Sequence, residues 1–387
     1  MSTSYEPKNI LVTGARAPVT LHLCRLLQSQ GLQVYAADSC PYAVTKVSNA
    51  VKKFLQVPSP KFETALFVQT MTKIIEDYHI DLIIPTCEET FYIAKYKEYF
   101  ESYCSVLVDD IDTLNVLHNK AEFIRFTNEF GWDAPVTIET DGSFSYQEKI
   151  EQLHIKEFVL KPVYSRFSDS VRFVTKSELL SQEKPLGVGW LIQEKLDGTQ
   201  YCSYTIAKNG KLLAHSVYQT EFTAGLGATI AFQHTECDPI FSFVSILVEK
   251  LKYSGQIAFD FIVTKDGKVY PIECNPRTTS GLHLFSSDIV SVFVGTNTED
   301  VLFPNKETKM ALTLALLLYG GSFLWDGKVR KRWFQVITSH RDITYLHRDK
   351  KPFFYQFYSV CKLWRESRKR NISLLQQTTY DISWDGE

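Results

Sequence analysis

The segment I-E-C-N-P-R-T-T-S-G at 272–281 concentrates groups that can do chemistry: a carboxylate, an amide and a guanidinium at two-residue spacing, running into short polar side chains. Side chains alternate along a strand, so Glu273 and Asn275 share one face and Cys274 points to the other, into the core. Residues 256–275, Q-I-A-F-D-F-I-V-T-K-D-G-K-V-Y-P-I-E-C-N, read as a hairpin turning at Asp266–Gly267. Pairing about that turn sets Asp260 opposite position 273. Two carboxylates and an amide oxygen form a hard, incomplete ligand set. Mg2+ suits such a set, because phosphate oxygens and water fill its remaining octahedral positions, and Mn2+ is the alternative ion. Arg277, a permanently charged forked donor, then reaches the same phosphates. The plainer alternative is an ordinary hairpin whose acids face solvent with Arg277 as a surface partner.

The elements around this hairpin divide the chain in two styles. N-I-L-V-T-G (9–14), apolar positions at helical spacing over 19–30, and L-Q-V-Y-A-A-D (32–38) form a β-α-β opening. Strand-like runs at 54–58, 81–85 and 105–109 extend it to a parallel, Rossmann-like sheet. The dinucleotide fingerprint is missing, since G-A-R-A-P-V after the first strand has one glycine where three are needed. Asp38 ends the second strand, as a ribose contact or, more ordinarily, a cap. From about 115 the pattern becomes a helix (119–130), strands at 157–162 and 190–195, a hairpin over 201–217 turning at N-G, and a helix near 239–252 before the second hairpin. This is α+β architecture.

With these motifs in order, the chain resembles the ATP-grasp superfamily, in particular carboxylate–amine ligases related to biotin carboxylase and carbamoyl-phosphate synthase. The resemblance covers roughly residues 8 to 320. It implies Mg-ATP bound between two α+β subdomains behind a Rossmann-like domain, with Asp260, Glu273 and Asn275 as metal ligands and Arg277 facing the γ-phosphate and acyl phosphate. Lys120 in H-N-K-A-E-F and Lys161 in V-L-K-P match the phosphate-contacting lysines, the latter near the α-phosphate and adenine. I-Q-E-K-L (192–196) resembles the hinge, where the Glu194 side chain and the backbone around Lys195 and Leu196 hydrogen-bond adenine. Two positions depart from the family. Gln200 stands where a ribose-binding glutamate is usual, and the loop V-Y-S-R-F-S-D-S-V (163–171) lacks the common glycines, leaving serines and Arg166 as donors. His283 and Gly225, the latter in E-F-T-A-G-L-G-A-T (221–229), are further candidates for substrate contact, with a polar residue at a helix N-terminus and an ordinary connection as their structural alternatives.

Bulk properties bound these readings. The chain has 387 residues, ordinary globular composition and a net charge of −2, with no general pull toward nucleic acid. Residues 328–370 hold thirteen Lys/Arg against three acids, so that stretch carries +10 and the remainder −12. Eight scattered cysteines without a C-x-x-C pair read as buried, reduced thiols. The N-terminus lacks a signal pattern and the longest apolar stretch, Met310 to Tyr319, is far shorter than the ~20 residues of a span, so a cytoplasmic location is expected. Within 353–370, Phe354, Phe357, Cys361 and Trp364 recur at helical spacing beside a cationic end. We expect these aromatics to pack on the core with the charges solvated; the alternative is an interfacial helix on an anionic membrane.

The expected organisation is therefore a Rossmann-like pre-ATP-grasp domain (1–114), an ATP-grasp domain (115–325, subdomains about 115–190 and 191–325) and a basic C-terminal extension (326–387). The expected activity is ADP-forming ligation of a small-molecule carboxylate and amine. Bicarbonate activation and a non-catalytic ATP-binding sensor or scaffold are the alternatives. Neither the substrates nor the oligomeric state can be read from these residues.

Overall fold

The computed structural model of the chain describes residues 7–164, 170–225, 227–297, 299–320 and 325–387. The first domain runs β1 (Asn9–Thr13), α1 (Pro18–Ser29), β2 (Gln33–Asp38), β3 (Lys53–Gln56), α2 (Thr64–Tyr78), β4 (Leu82–Ile84), α3 (Glu89–Lys95), α4 (Lys97–Glu101) and β5 (Ser105–Val106). Its strands are parallel in the order β3-β2-β1-β4-β5, the doubly wound Rossmann arrangement. Both faces are covered, which is why the strands read as continuous apolar runs. Ile10 and Val12 of β1 share a core with Val19, Leu23 and Leu27 of α1, whereas Leu11 shares one with Phe67, Met71 and Ile75 of α2. Gly14 turns the chain out of β1 at φ +71°, and a Cβ there would lie 2.6 Å from Thr86 Oγ1.

The chain continues through α5 (Ile111–His118) and α6 (Lys120–Glu129), the latter capped by the Asn119 side chain, which accepts from the N–H groups of Ala121 and Glu122. Next come β6 (Thr137–Glu139), α7 (Ser145–Gln152), β7 (Glu157–Pro162), β8 (Arg172–Thr175), α8 (Lys176–Leu180) and β9 (Trp190–Glu194). These strands form an antiparallel sheet ordered β6-β9-β7-β8 over a small core of its own, built from Tyr146, Ile150, Phe158, Leu160, Leu179 and Ile192. The boundary expected near 190 thus falls at the start of a strand of this first sheet. The crossing to the next sheet lies at 195–197.

The second, larger half contains β10 (Gly198–Lys208), β11 (Lys211–Gln219), β12 (Thr223–Ala224), β13 (Ala228–Thr229), β14 (Ala231–Gln233), α9 (Asp238–Leu251), β15 (Gly255–Thr264), β16 (Val269–Asn275), α10 (Val290–Phe293) and β17 (Lys309–Ala311). The central antiparallel sheet is β11-β10-β15-β16. Asn209 and Gly210, both at positive φ, make the tight turn of the first hairpin. Ile257, Phe259 and Phe261 of β15 share one core with Leu11 and Phe91 of the first domain. The central sheet and the first domain are therefore packed together, while the small sheet keeps a separate core.

The C-terminal region comprises α11 (Thr313–Tyr319), α12 (Gly327–Ser339), β18 (Arg341–Asp342), α13 (Lys351–Arg370) and α14 (Leu374–Gln377). It is no appended extension: β18 joins β14 and β17 in a sheet, and the chain then returns to the first domain. Asp349 pairs with Arg25 at 2.9 Å, and the buried Arg16 bridges Asp38 and Asp381, each at 2.6 Å. Asp38 is thereby an internal ion-pair partner that also accepts from the Cys40 N–H, with no carboxylate left for a ribose. Ile382 lines the small crevice at the strand ends together with Thr13, Gly14 and Asp38, so the protein's own tail lies at the usual ligand site of such a sheet.

Two expectations about this region and the thiols are corrected. The stripe on α13 does not enter the core: Phe354 is 65% exposed, Phe357 50% and Trp364 49%, and Cys361 is exposed with them. All eight cysteines are free, but only Cys24, Cys40, Cys202 and Cys274 are fully buried. Among the described residues no helix is long and apolar enough to cross a membrane.

Candidate active site

The hairpin of β15 and β16 sets Asp260 opposite Glu273, with a register irregularity between Asp260 and Phe261. Cys202 of β10 lies opposite Asp260 on the other side, its Sγ 2.8 Å from Asp260 Oδ1. Cys274, on the reverse face of β16, is buried in the core. Two lysines approach the acids from other elements. Lys120, the first residue of α6, places Nζ 3.5 Å from Glu273 Oε1. Lys161 reaches from β7 of the small sheet and donates to the Ile272 carbonyl of β16 at 3.2 Å. Both ammonium-bearing side chains are almost fully buried, so the site sits where the small and central sheets meet.

Burial and charge reshape this cluster. Withdrawal from water, reinforced by the neighbouring Glu273, pushes the Asp260 carboxyl up to about 6. Burial pulls Lys161 down to about 8, with Lys120 adding to the fall and Glu273 and Asp260 opposing it. The Cys202 thiol is pushed far up by burial and by Asp260, so it is a neutral donor to that carboxylate.

Arg277 follows the hairpin. Its Nη2 donates to Asn275 Oδ1 at 3.3 Å and its Nη1 to the Thr278 carbonyl at 3.2 Å. Nη2 also stands 3.9 Å from the buried Glu88 Oε1. Among the described residues Arg277 Nε is buried without an acceptor, a donor that an incoming anion could engage.

The donor set fits a magnesium ion. Asp260 and Glu273 face each other as carboxylates whose mutual repulsion a cation relieves, and Asn275 lies two residues along the same strand face. Asn275 Oδ1 is engaged by Arg277, so the amide joins a metal only on releasing that contact. Among the described residues no group of three or more His, Cys, Asp or Glu side chains could hold a metal. A site of two carboxylates and an amide relies instead on nucleotide oxygens and water for completion.

The other expected residues are placed unevenly. Glu194 ends β9, its carboxylate accepting from the Val136 N–H at 3.4 Å. The Lys195 N–H donates to the Glu157 carbonyl, so this backbone donor expected for adenine is already used; its ammonium pairs with Glu157 at 2.7 Å. Leu196 follows at the crossing between sheets, half-buried. Gln200 sits on β10 two residues from Cys202, hence on the sheet face that carries Asp260. Five loop residues, 165–169, with Arg166 among them, lie outside the described residues.

Two candidates are not brought to this cluster. His283 is buried in contact with the His22 and Phe232 rings, and burial together with His22 drives its pKa far down, which makes it a neutral core histidine. Gly225 occupies the exposed turn between β12 and β13 at φ +68°, where its backbone conformation explains the glycine. In contrast, Glu88 and Cys202 were missed. Glu88 follows β4 at the carboxyl end of the parallel sheet, where ligand-handling residues gather, and that position was the available signal. Cys202 carried none, because its partner is set by strand register.

Comparison with known proteins bears on the fold. Residues 117–281 match the family model of the ATP-grasp domain. The fold is similar to N5-carboxyaminoimidazole synthetase from Staphylococcus aureus complexed with ADP, at TM-score 0.62 and 12% identity, covering 83% of this chain and 86% of that one. It is also similar to L-amino acid ligase from Bacillus licheniformis, at TM-score 0.55 and 15% identity, covering 75% and 70%. A biotin carboxylase–βγ-ATP complex from Campylobacter jejuni gives TM-score 0.57 and 14% identity over 78% and 73%. No curated protein matches by sequence.

Proposed function

We propose that the chain, whose residues 117–281 match the ATP-grasp domain model, is an ADP-forming carboxylate–amine ligase acting on small molecules. The observation that carries this reading is the approach of two buried lysines, Lys120 and Lys161, to the hairpin that sets Asp260 opposite Glu273 where two sheets meet, with Arg277 on the adjoining Asn275. A carboxylate is a poor electrophile. Attack of its oxygen on the γ-phosphorus, with cleavage of the bond to ADP, makes an acyl phosphate; attack of an amine nitrogen on the acyl carbon then expels phosphate. The protein's task is positioning and charge neutralisation.

Asp260, Glu273 and Asn275 would hold a magnesium ion, which would supply charge neutralisation at the triphosphate. Lys120 and Lys161 contribute positive charge from buried positions, where water screens it least. Arg277 offers Nε, a donor without an acceptor among the described residues, to the transferring group. Glu88 holds the guanidinium from the side of the first domain.

The test is ADP release across pairs of carboxylates, bicarbonate included, and amines. Glu273→Gln and Arg277→Ala should each abolish turnover with circular dichroism unchanged. Full turnover in either variant removes the site assignment. Stoichiometric ATP binding with no productive pair would favour a nucleotide sensor.

A further inference from the structure

Helix α13 presents its faces in the reverse of the ordinary order. Gln356, Ser359 and Ser367 are buried, while Phe354, Phe357 and Trp364 are exposed. One flank of the helix meets Tyr42, which contacts Tyr358 and Lys362. A helix normally buries its apolar stripe, because leaving large apolar side chains in water forfeits the hydrophobic gain of burying them. The exposed stripe is also continuous with a second element. An open groove of about 330 Å³ is lined by Leu318 and Tyr319 of α11, Phe357, Val360 and Trp364 of α13, and Leu374 of α14. Leu317 and Leu318 are themselves 56% and 58% exposed.

Charge says what covers this face. Along 350–370 there are seven Lys/Arg and one acid, and Arg365, Arg368 and Lys369 are exposed beside Trp364. Arg368 stacks over the Trp364 ring at 5.6 Å. Two copies of this chain meeting face to face would bring like charges together. A nucleic acid would satisfy the charges but leave the aliphatic groove wet. A surface that offers anionic groups above an apolar interior satisfies both.

We propose that the outer face of α13, with the end of α11, is a docking surface for an anionic lipid bilayer. The helix lies in the headgroup plane, with Phe354, Phe357, Trp364 and Leu318 entering the acyl boundary and Arg365, Arg368 and Lys369 on lipid phosphates. Attachment is peripheral and reversible.

Flotation of the full chain with phosphatidylcholine vesicles, alone or with about one-third phosphatidylserine, tests this. Floating is expected only with phosphatidylserine, and to fall at about 0.5 M salt. The pair Phe357→Ser/Trp364→Ser and the triple Arg365→Glu/Arg368→Glu/Lys369→Glu should each cut bound protein by roughly tenfold or more with Tm unchanged. Should the serine pair lower Tm, the charge reversals decide alone. Absence of phosphatidylserine-dependent floating overturns the proposal, as does wild-type floating by a folded serine pair. Self-association in sedimentation that the serine pair abolishes, without lipid binding, assigns the face to a second copy instead.

Discussion

At Asp260 and Lys161 burial moves two ionisations toward neutrality from opposite sides, to about 6 and about 8. Below the first, Asp260 takes up a proton and loses the charge a metal needs; above the second, Lys161 sheds its proton and its attraction for phosphate. Mg-ATP affinity should therefore be highest between these values and fall about tenfold per pH unit beyond either. Glu273→Gln should weaken Mg-ATP binding at least tenfold and move both limbs to lower pH. It removes a charge that raises Asp260 and also one that supports protonated Lys161. Calorimetric titration with Mg-ATP from about pH 5 to 9 reads both effects; limbs at ordinary carboxylate and lysine values would contradict the account. Asp260 opposite Glu273 was legible because a strand has a period of two and D-G marks its turn. Glu88 opposite Arg277 was not, because that contact joins separate domains.

At the scale of elements, close approach limits substitution most sharply at the exit of β1. Gly14 combines φ +71° with side-chain atoms of Thr86, Glu89 and Cys87 under 3.0 Å from any added Cβ. Gly14→Ala should cost about 2–4 kcal/mol, combining left-handed strain with displaced neighbours, seen as a lower urea midpoint at constant slope. A change below 0.5 kcal/mol would show that the β1 exit relaxes freely. Strands and helices themselves were readable from apolar period. The direction a helix faces was not always so, since α13 has a clear aromatic stripe yet turns Gln356 and Ser359 inward. Periodicity reveals that a helix has two faces; the surface it lands on decides which is inside.

For the whole molecule, the last residues act as a clasp. Trp384 is 2% exposed, stacked on Phe91, edge-on to Tyr92, and hydrogen-bonded from Nε1 to Asn115 at 2.7 Å. Its N–H reaches Glu88 Oε2 at 3.3 Å, linking the tail to the carboxylate beside Arg277. Trp384→Ala should destabilise the protein by about 3–5 kcal/mol and Trp384→Phe by clearly less, measured by urea unfolding. Equal, small effects would show that the tail is dispensable. By itself the sequence determined the parallel opening, the two hairpins, the polar run at 272–281 and the concentration of positive charge near the C-terminus. Those follow from local alternation, turn residues and composition, which act over a few residues. Only the tertiary structure decided that Lys161 crosses from one sheet to another, that the tail lines the first domain's crevice, and that the aromatic stripe of α13 faces outward. Each depends on contacts between distant segments competing for the same buried surface, and no local pattern records which of them wins.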